Sequence, residues 1–595
     1  MRKIYYLPLA LAALAMGSCS SEDTAAESGK PTNFADGGYM KMSINMPTRS
    51  ANGGFKAAND NFEDGLASEY AVNNATLILF QGSDEASAKF HSAYALPTNT
   101  TGENDNPNQI TVTMRIVKRV ADDITGNEGD KLYALVVVNN NGLVAVDAEN
   151  KATINGKAFE GTIQDLQKMI VSGGVSKFST TGLLMTNAPL STVAGGENKP
   201  DGATVQTLTD VTNDVYSSEA AASAQPAAEI YVERAVAKVT LTSSVAKLSS
   251  TDEGIRNVAA TVTGWTLTNT NTESYLVRNT IESRPYLTLM SAYTTEANKY
   301  RFVGHTAVKP DESLYRTYWA QDPNYDAFTE GKLFYSSNPA DYTFSTNLDE
   351  VHPLYCMENT FNVANQEKRS TTQAVVRATL GTPDENTGVA PTFYTINNDR
   401  TQMYTADGRD AAVKSSILGN SDVIAWVKAN GDGTTAEASS VSINFADSKD
   451  AATGVLPLTS FTITLNNKTF TADATTNTEA LNAVNKDAVV YEYTNGVSYY
   501  PALIKHFGDD LTPWNTNEHP ATVADVYENN NEGKFLGRYG VLRNNWYTLN
   551  VNSIRAIGSP VVPPVPTEPD DDLYNYISVS VNILSWAKRS QNVDL

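Results

Sequence analysis

From Tyr39 to Met46 apolar and polar residues alternate without a break: Met40, Met42, Ile44 and Met46 fall on one face, Lys41, Ser43 and Asn45 on the other. A period of two is the pattern of a strand with one buried side. Pro47, Asn52, Gly53 and Gly54 then stop it with turn and loop residues. The same criterion predicts strands at Ala75–Phe80, Ile110–Val117, Leu132–Val138 and Leu183–Thr186. Leu135 to Val138 is unbroken apolar sequence, which suits a central strand buried on both faces. Ile163, Leu166, Met169 and Ile170 instead share a helical face, with Thr162 and Asp165 spaced as a capping box. Residues 217–228 are small and contain a proline, the composition of an interdomain linker. Beyond it a strand is expected over Ile230–Leu241, with Ala237, Val239 and Leu241 on one face. Helical insertions are expected at 411–429 and 477–487, the second opened by Thr476 and Glu479 as a capping pair. Near the end, Pro560, Pro563, Pro564, Pro566 and Pro569 form a semi-rigid spacer of about 3.1 Å per residue. Ile577, Val579, Val581 and Ile583 follow, alternating with Ser578, Ser580 and Asn582. This reads as a detachable strand on a stiff spacer. The same alternation also suits a strand that completes its own domain's sheet, in which case only the segment after Trp586 projects.

Composition narrows the function classes. The 595 residues carry 44 Lys and Arg against 67 Asp and Glu, a net charge of −23. That excludes a binder that tracks nucleic-acid phosphates, which needs a basic face. With 41% hydrophobic residues the chain can build sizeable cores, and 29 Tyr with abundant Thr and Asn favour strands and turns over helices. The only cysteines are Cys19 and Cys356, so neither a disulfide scaffold nor a Cys-rich metal site is expected.

The N-terminus carries an export signal. Arg2 and Lys3 precede an apolar run, Ile4 to Ala15, too short to span a bilayer. Met16-Gly17-Ser18-Cys19 then resembles a bacterial lipobox, in which Cys19 is acylated and becomes the mature N-terminus. Loss of residues 1–18 would leave a net charge of −25. With Cys19 lipidated, Cys356 has no disulfide partner, and its context Leu354-Tyr355-Cys356-Met357 suits burial better than nucleophilic chemistry.

Catalytic patterns are missing from the sequence. There is no His-Glu-x-x-His, no phosphate-binding Gly-Lys-Ser/Thr loop and no Gly-x-Ser-x-Gly. Gly431-Asp432-Gly433 reads as a turn, and the Asp60, Asp64, Gly65 cluster lacks the ligand spacing of a calcium loop. No enzyme activity, catalytic residue, metal or cofactor is expected.

A lipidated precursor, an early strand followed by an arginine-containing loop, and a terminal strand together resemble the fimbrillins of the type V pili of Bacteroidales. The likeness is nearest to the major subunit of the minor, short fimbria. It rests on Gly38–Ile44 with Arg49, on Glu233–Val239, on Tyr355–Thr360, and on the ending from Asn545-Trp546-Tyr547 to Trp586. The resemblance implies an all-β fold with minor helical insertions: two transthyretin-like β-sandwich domains and a C-terminal donor strand. It implies a signal peptide at 1–18, a propeptide at 19–49, domains at 50–225 and 226–559, and a spacer with terminal strand at 560–595. It further implies cutting between Arg49 and Ser50 by an Arg-specific surface protease. The displaced first strand would carry Met40, Met42, Ile44 and Met46, and a neighbour's donor strand Ile577, Val579, Val581 and Ile583. The implied partners are further copies of the chain, accessory fimbrial subunits and an anchor, and host or bacterial surface receptors. Membrane contact would come only through the precursor's lipid, and the location would be the fimbrium and the outer membrane. The alternative is a non-polymerising surface lipoprotein or a tip adhesin that binds glycan or host protein through aromatic loops.

Overall fold

The computed structural model describes residues 37–46, 66–97, 109–116, 129–195, 205–280, 302–309, 313–326, 331–362, 365–431, 433–435, 438–506, 536–568, 577–585 and 588–589. They form a β-sheet protein with few helices. The first unit is a nine-stranded sheet. Its path runs from Val215–Tyr216 through Gly38–Asn45, Ala228–Arg234, Met185–Asn187, Lys131–Val138 and Ala75–Gly82 to Lys89–Leu96, with Gln109–Ile116 paired to Gly38–Asn45. Lys131–Val138 is central, as its apolar run predicts. Leu132, Ala134, Val136 and Val138 enter one core, together with Met40, Met42 and Ile44. Tyr133, Leu135 and Val137 enter another, beneath the helix Ile163–Gln167.

The second unit is a sandwich. One sheet orders Leu354–Met357, Val236–Ser243, Asn545–Ile554, Ile577–Ser585 and Lys588–Arg589; the other orders Ala260–Thr268, Gln373–Leu380 and Val497–Leu503. Ala237, Val239, Leu241, Tyr547, Leu549 and Val551 of the first sheet share a core with Trp265, Val376 and Tyr500 of the second. Between Gln373–Leu380 and Val497–Leu503 an insertion folds round its own core. There Val413, Ile417, Val423 and Val427 from two helices meet Phe461, Ile463 and Phe470 from a three-stranded sheet.

Several expected elements differ in detail. The predicted strand Ile230–Leu241 is two strands that change sheets at Ala235, which is fully buried. The expected boundary between 225 and 226 therefore lies just before Ala228–Arg234, a strand of the first sheet. The presumed linker contains a helix, Glu219–Ser223, capped by Ser218. The helix predicted at 411–429 is broken at Asn420, whose side chain accepts from the N–H groups of Asp422 and Val423 and so starts a second helix. Competition between the side-chain cap and helix continuation settles that break. The later helix is capped by Asn477 rather than Thr476. Ile170 is not on the helical face; the helix ends at Gln167 and Ile170 opens a short strand, 43% exposed.

Candidate functional site

The strand Gly38–Asn45 is an interior strand. Along its whole length it pairs antiparallel with Gln109–Ile116. On its other edge Met42 to Asn45 pair parallel with Ala228 to Tyr231, and Tyr39 and Met40 pair antiparallel with Tyr216 and Val215. Met40, Met42 and Ile44 are fully buried and Met46 is 5% exposed. Four such side chains at about 1.5–3 kcal/mol each amount to a gross ~6–12 kcal/mol before ordering costs. Among the described residues, Gln109–Ile116 has no other strand partner, so it depends on this strand for its place in the sheet.

The polar face is not simply wet. The helix Glu219–Ser223 lies against it, with Lys41 Nζ donating to Ser223 O at 3.4 Å. Ser43, expected to face solvent, is 4% exposed, and its hydroxyl has no hydrogen-bond partner among the described residues. An unmet buried hydroxyl costs about 1–3 kcal/mol. The strand is thus well filled on one face and imperfectly satisfied on the other.

Beyond Met46 the described chain resumes at Leu66 and is fastened at Glu69. This carboxylate is 1% exposed. It pairs with Lys238 Nζ at 2.9 Å and accepts from Tyr355 OH at 2.6 Å and from Leu66 N–H at 2.8 Å. Lys238 Nζ lies 3.7 Å from the Trp546 ring centroid, and Arg234 Nε donates to Glu69 O. Burial depresses the Lys238 ammonium, and Glu69 works against that shift. A second buried cluster lies beside it. Arg278 Nε meets Glu233 at 2.9 Å, Arg543 Nε meets Glu358 at 3.1 Å, and Arg278 Nη2 is 3.6 Å from Glu358. Burial pushes Glu233 up to about 7, against the pull of Arg278 and Arg543. Glu233 belongs to the first sheet, and Glu358 and Arg543 flank strands of the sandwich, so the cluster joins the two units. Three segments singled out in the sequence, around Glu233–Val239, Tyr355–Thr360 and Trp546, converge there. Glu69, Arg278 and Arg543 carried no local signal, since only the fold brings them in.

Ile577–Ser585 lies antiparallel on Asn545–Ile554, with Ile577, Val579, Val581 and Ile583 opposite Ile554, Val551, Leu549 and Tyr547. The strand is thus seated in its own sheet, with Lys588–Arg589 on its outer edge. The spacer before it is not free: Val561 is 4% exposed and Val562 fully buried. Cys356 is buried at 2%, and burial pushes its thiol up to about 12, which makes it inert at neutral pH. Cys19, Arg49 and Ser50 lie outside the described residues, as do 569–576 and Trp586. Among the described residues no cluster of three His, Cys, Asp or Glu could hold a metal ion, and no helix is long and apolar enough to cross a membrane.

Comparison with known proteins bears on the C-terminal end, which holds that strand. Residues 516–592 match the family model for the major fimbrial subunit protein type IV, fimbrillin, C-terminal. No curated protein matches the chain. Similar solved structures include a fimbrilin from Porphyromonas gingivalis, 8% identical, covering 93% of this chain and 98% of that one at a TM-score of 0.35. Another is the tip fimbrial protein of Porphyromonas gingivalis with a C-terminal truncation, 10% identical over 92% of this chain and 100% of that one at 0.28. A third is a fimbrial assembly protein from Parabacteroides distasonis, 13% identical over 57% of this chain and 98% of that one at 0.23.

Proposed function

We propose that the chain is a structural subunit of a cell-surface fimbria, a pilus shaft protein that supports adhesion and biofilm formation. It is exported as a lipoprotein through Cys19, activated by cleavage between Arg49 and Ser50, and polymerised by donor-strand exchange. The observation that carries this reading is the place of the first strand. It is interior, hydrogen-bonded on both edges and buried through Met40, Met42, Ile44 and Met46, and the arginine that would free it follows three residues later. Its removal would leave two rows of unpaired backbone groups and four empty apolar sites, which an extended segment of another copy fills by β-augmentation. The fimbrillin match at 516–592 supports the same reading, because it contains the alternating segment that would be donated. The product from Ser50 keeps a net charge of −24, which favours solubility of exposed fibres.

N-terminal sequencing of the chain taken from fibres tests the scheme and should read from Ser50. Arg49→Ala should leave an uncleaved, lipid-bearing monomer. Normal fibres from that variant would remove the activation step. A second reading, a surface lipoprotein that does not polymerise, is favoured by the seat of Ile577–Ser585 in its own sheet. Under it, cleaved chains stay monomeric.

A further inference from the structure

The proline-rich spacer is a docked strap over its described length. Ser559 and Tyr499 exchange two backbone hydrogen bonds, of 2.8 and 2.9 Å, and Val562 N–H donates to Ser337 O at 3.1 Å. Val562 packs with Val375 and Tyr499 beside Tyr342 and Phe344, on the outer side of the three-stranded sheet. Two glycines make room for the crossing. A Cβ on Gly558 would lie 2.5 Å from Tyr499 O, and one on Gly454 would lie 2.3 Å from Pro560 Cγ. The far end is clipped at Glu568. Its carbonyl accepts from Lys368 N–H at 2.9 Å, and its carboxylate meets Lys368 Nζ at 2.8 Å, with the lysine side chain 2% exposed. The Glu568 side chain is 54% exposed, so its ion pair is screened on one side and the backbone bond shares in holding the crossing.

The terminal strand is held differently. Its described contacts are a ladder to Asn545–Ile554, a short pairing with Lys588–Arg589 and an approach to Val497–Leu503 of the facing sheet, with no clip like that at Glu568 among the described residues. We infer that the strap stays docked when the terminal strand leaves its own sheet, and that Glu568 is the fixed pivot from which the strand swings to a second copy of the chain. The inference rests on the donor-strand reading and adds to it a limit on reach. Ile577 lies nine residues beyond Glu568, so it can travel at most about 30 Å from the pivot. A strap freed back to Gly558 would allow roughly 60 Å, and a much looser joint between neighbours.

Two cysteine pairs in the full-length chain, processed by an Arg-specific protease, test both layers. Tyr499→Cys with Ser559→Cys locks the strap, since the members of a hydrogen-bonded antiparallel pair stand at about 5.5 Å between Cα atoms, within disulfide range. Leu549→Cys with Val581→Cys locks the terminal strand on its register partner. The strap-locked chain should give heat-stable ladders within about twofold of its reduced form, and the strand-locked chain none until reduced. Ladders lost in the strap-locked chain and restored by reductant would overturn the pivot. Full ladders from the strand-locked chain would remove the donor reading, and the pivot with it. Hydrogen exchange on the unsubstituted chain gives a check independent of any folding defect in these variants. Residues 559–568 should keep in fibres the protection they have in monomers, and loss of that protection overturns the inference.

Discussion

Asparagine accounts for much of the local geometry. Among the described residues every non-glycine with positive φ is an asparagine, except Ser313. A short side chain that bonds its own backbone tolerates the left-handed region, so these asparagines serve as turn residues. Ser43 is the residue whose role the pattern misassigned. Alternation puts it opposite Met42 and Ile44, yet it is buried, the helix Glu219–Ser223 packs against the same strand, and its hydroxyl has no hydrogen-bond partner among the described residues. Ser43→Ala should therefore stabilise the uncleaved chain by about 1 kcal/mol. Denaturant unfolding of the precursor checks this, and a midpoint that falls would show that the hydroxyl is satisfied.

At the scale of elements, caps and sheet changes decide what periodicity leaves open. The apolar positions Val413, Ile417, Val423 and Val427 suit one continuous helix, and Asn420 divides it by capping the second half. Its Nδ2 also donates to Asp487 at 2.5 Å, which ties the break to the third helix of the insertion. Asn420→Ala should cost about 1–2 kcal/mol. Because the insertion has its own core, the loss should appear as faster limited proteolysis within 406–487 and leave the first unit unaffected. Equal loosening of both units would mean that the insertion does not unfold separately. The strands at 75, 131 and 183 were legible within a residue or two, since half-buried and fully buried strands differ in pattern. Ala235 was not, because a bend that changes sheets needs only a small residue there, and small residues are common in strands.

Across the whole molecule, the joint between units is ionic and buried. Burial raises Glu233 from 4.5 to about 7, so folding shifts it toward its neutral form relative to the unfolded chain. A carboxyl raised on folding stabilises most while protonated, and that contribution fades as pH climbs from about 4.5 through 7. The thermal midpoint should therefore fall between pH 5 and pH 8, and Glu233→Gln should flatten the slope. Scanning calorimetry across that range decides it, and a wild-type midpoint that rises with pH would contradict the burial cost. Self-repulsion also grows as the acidic chain ionises, which is why the comparison with the variant, rather than the wild-type slope alone, carries the argument.

The sequence alone settled the strands near Met40–Met46, Ala75–Phe80 and Leu132–Val138 and which of their faces are apolar, because side-chain alternation is a local property of the extended chain. It also marked the Glu233, Tyr355 and Trp546 segments. Tertiary structure alone decided which strands are neighbours and in which direction they run, where the chain changes sheets, and that Glu69, Arg278 and Arg543 close the joint. Backbone hydrogen bonds take any partner edge, so strand order is written in no single segment and is chosen only when distant faces are buried together.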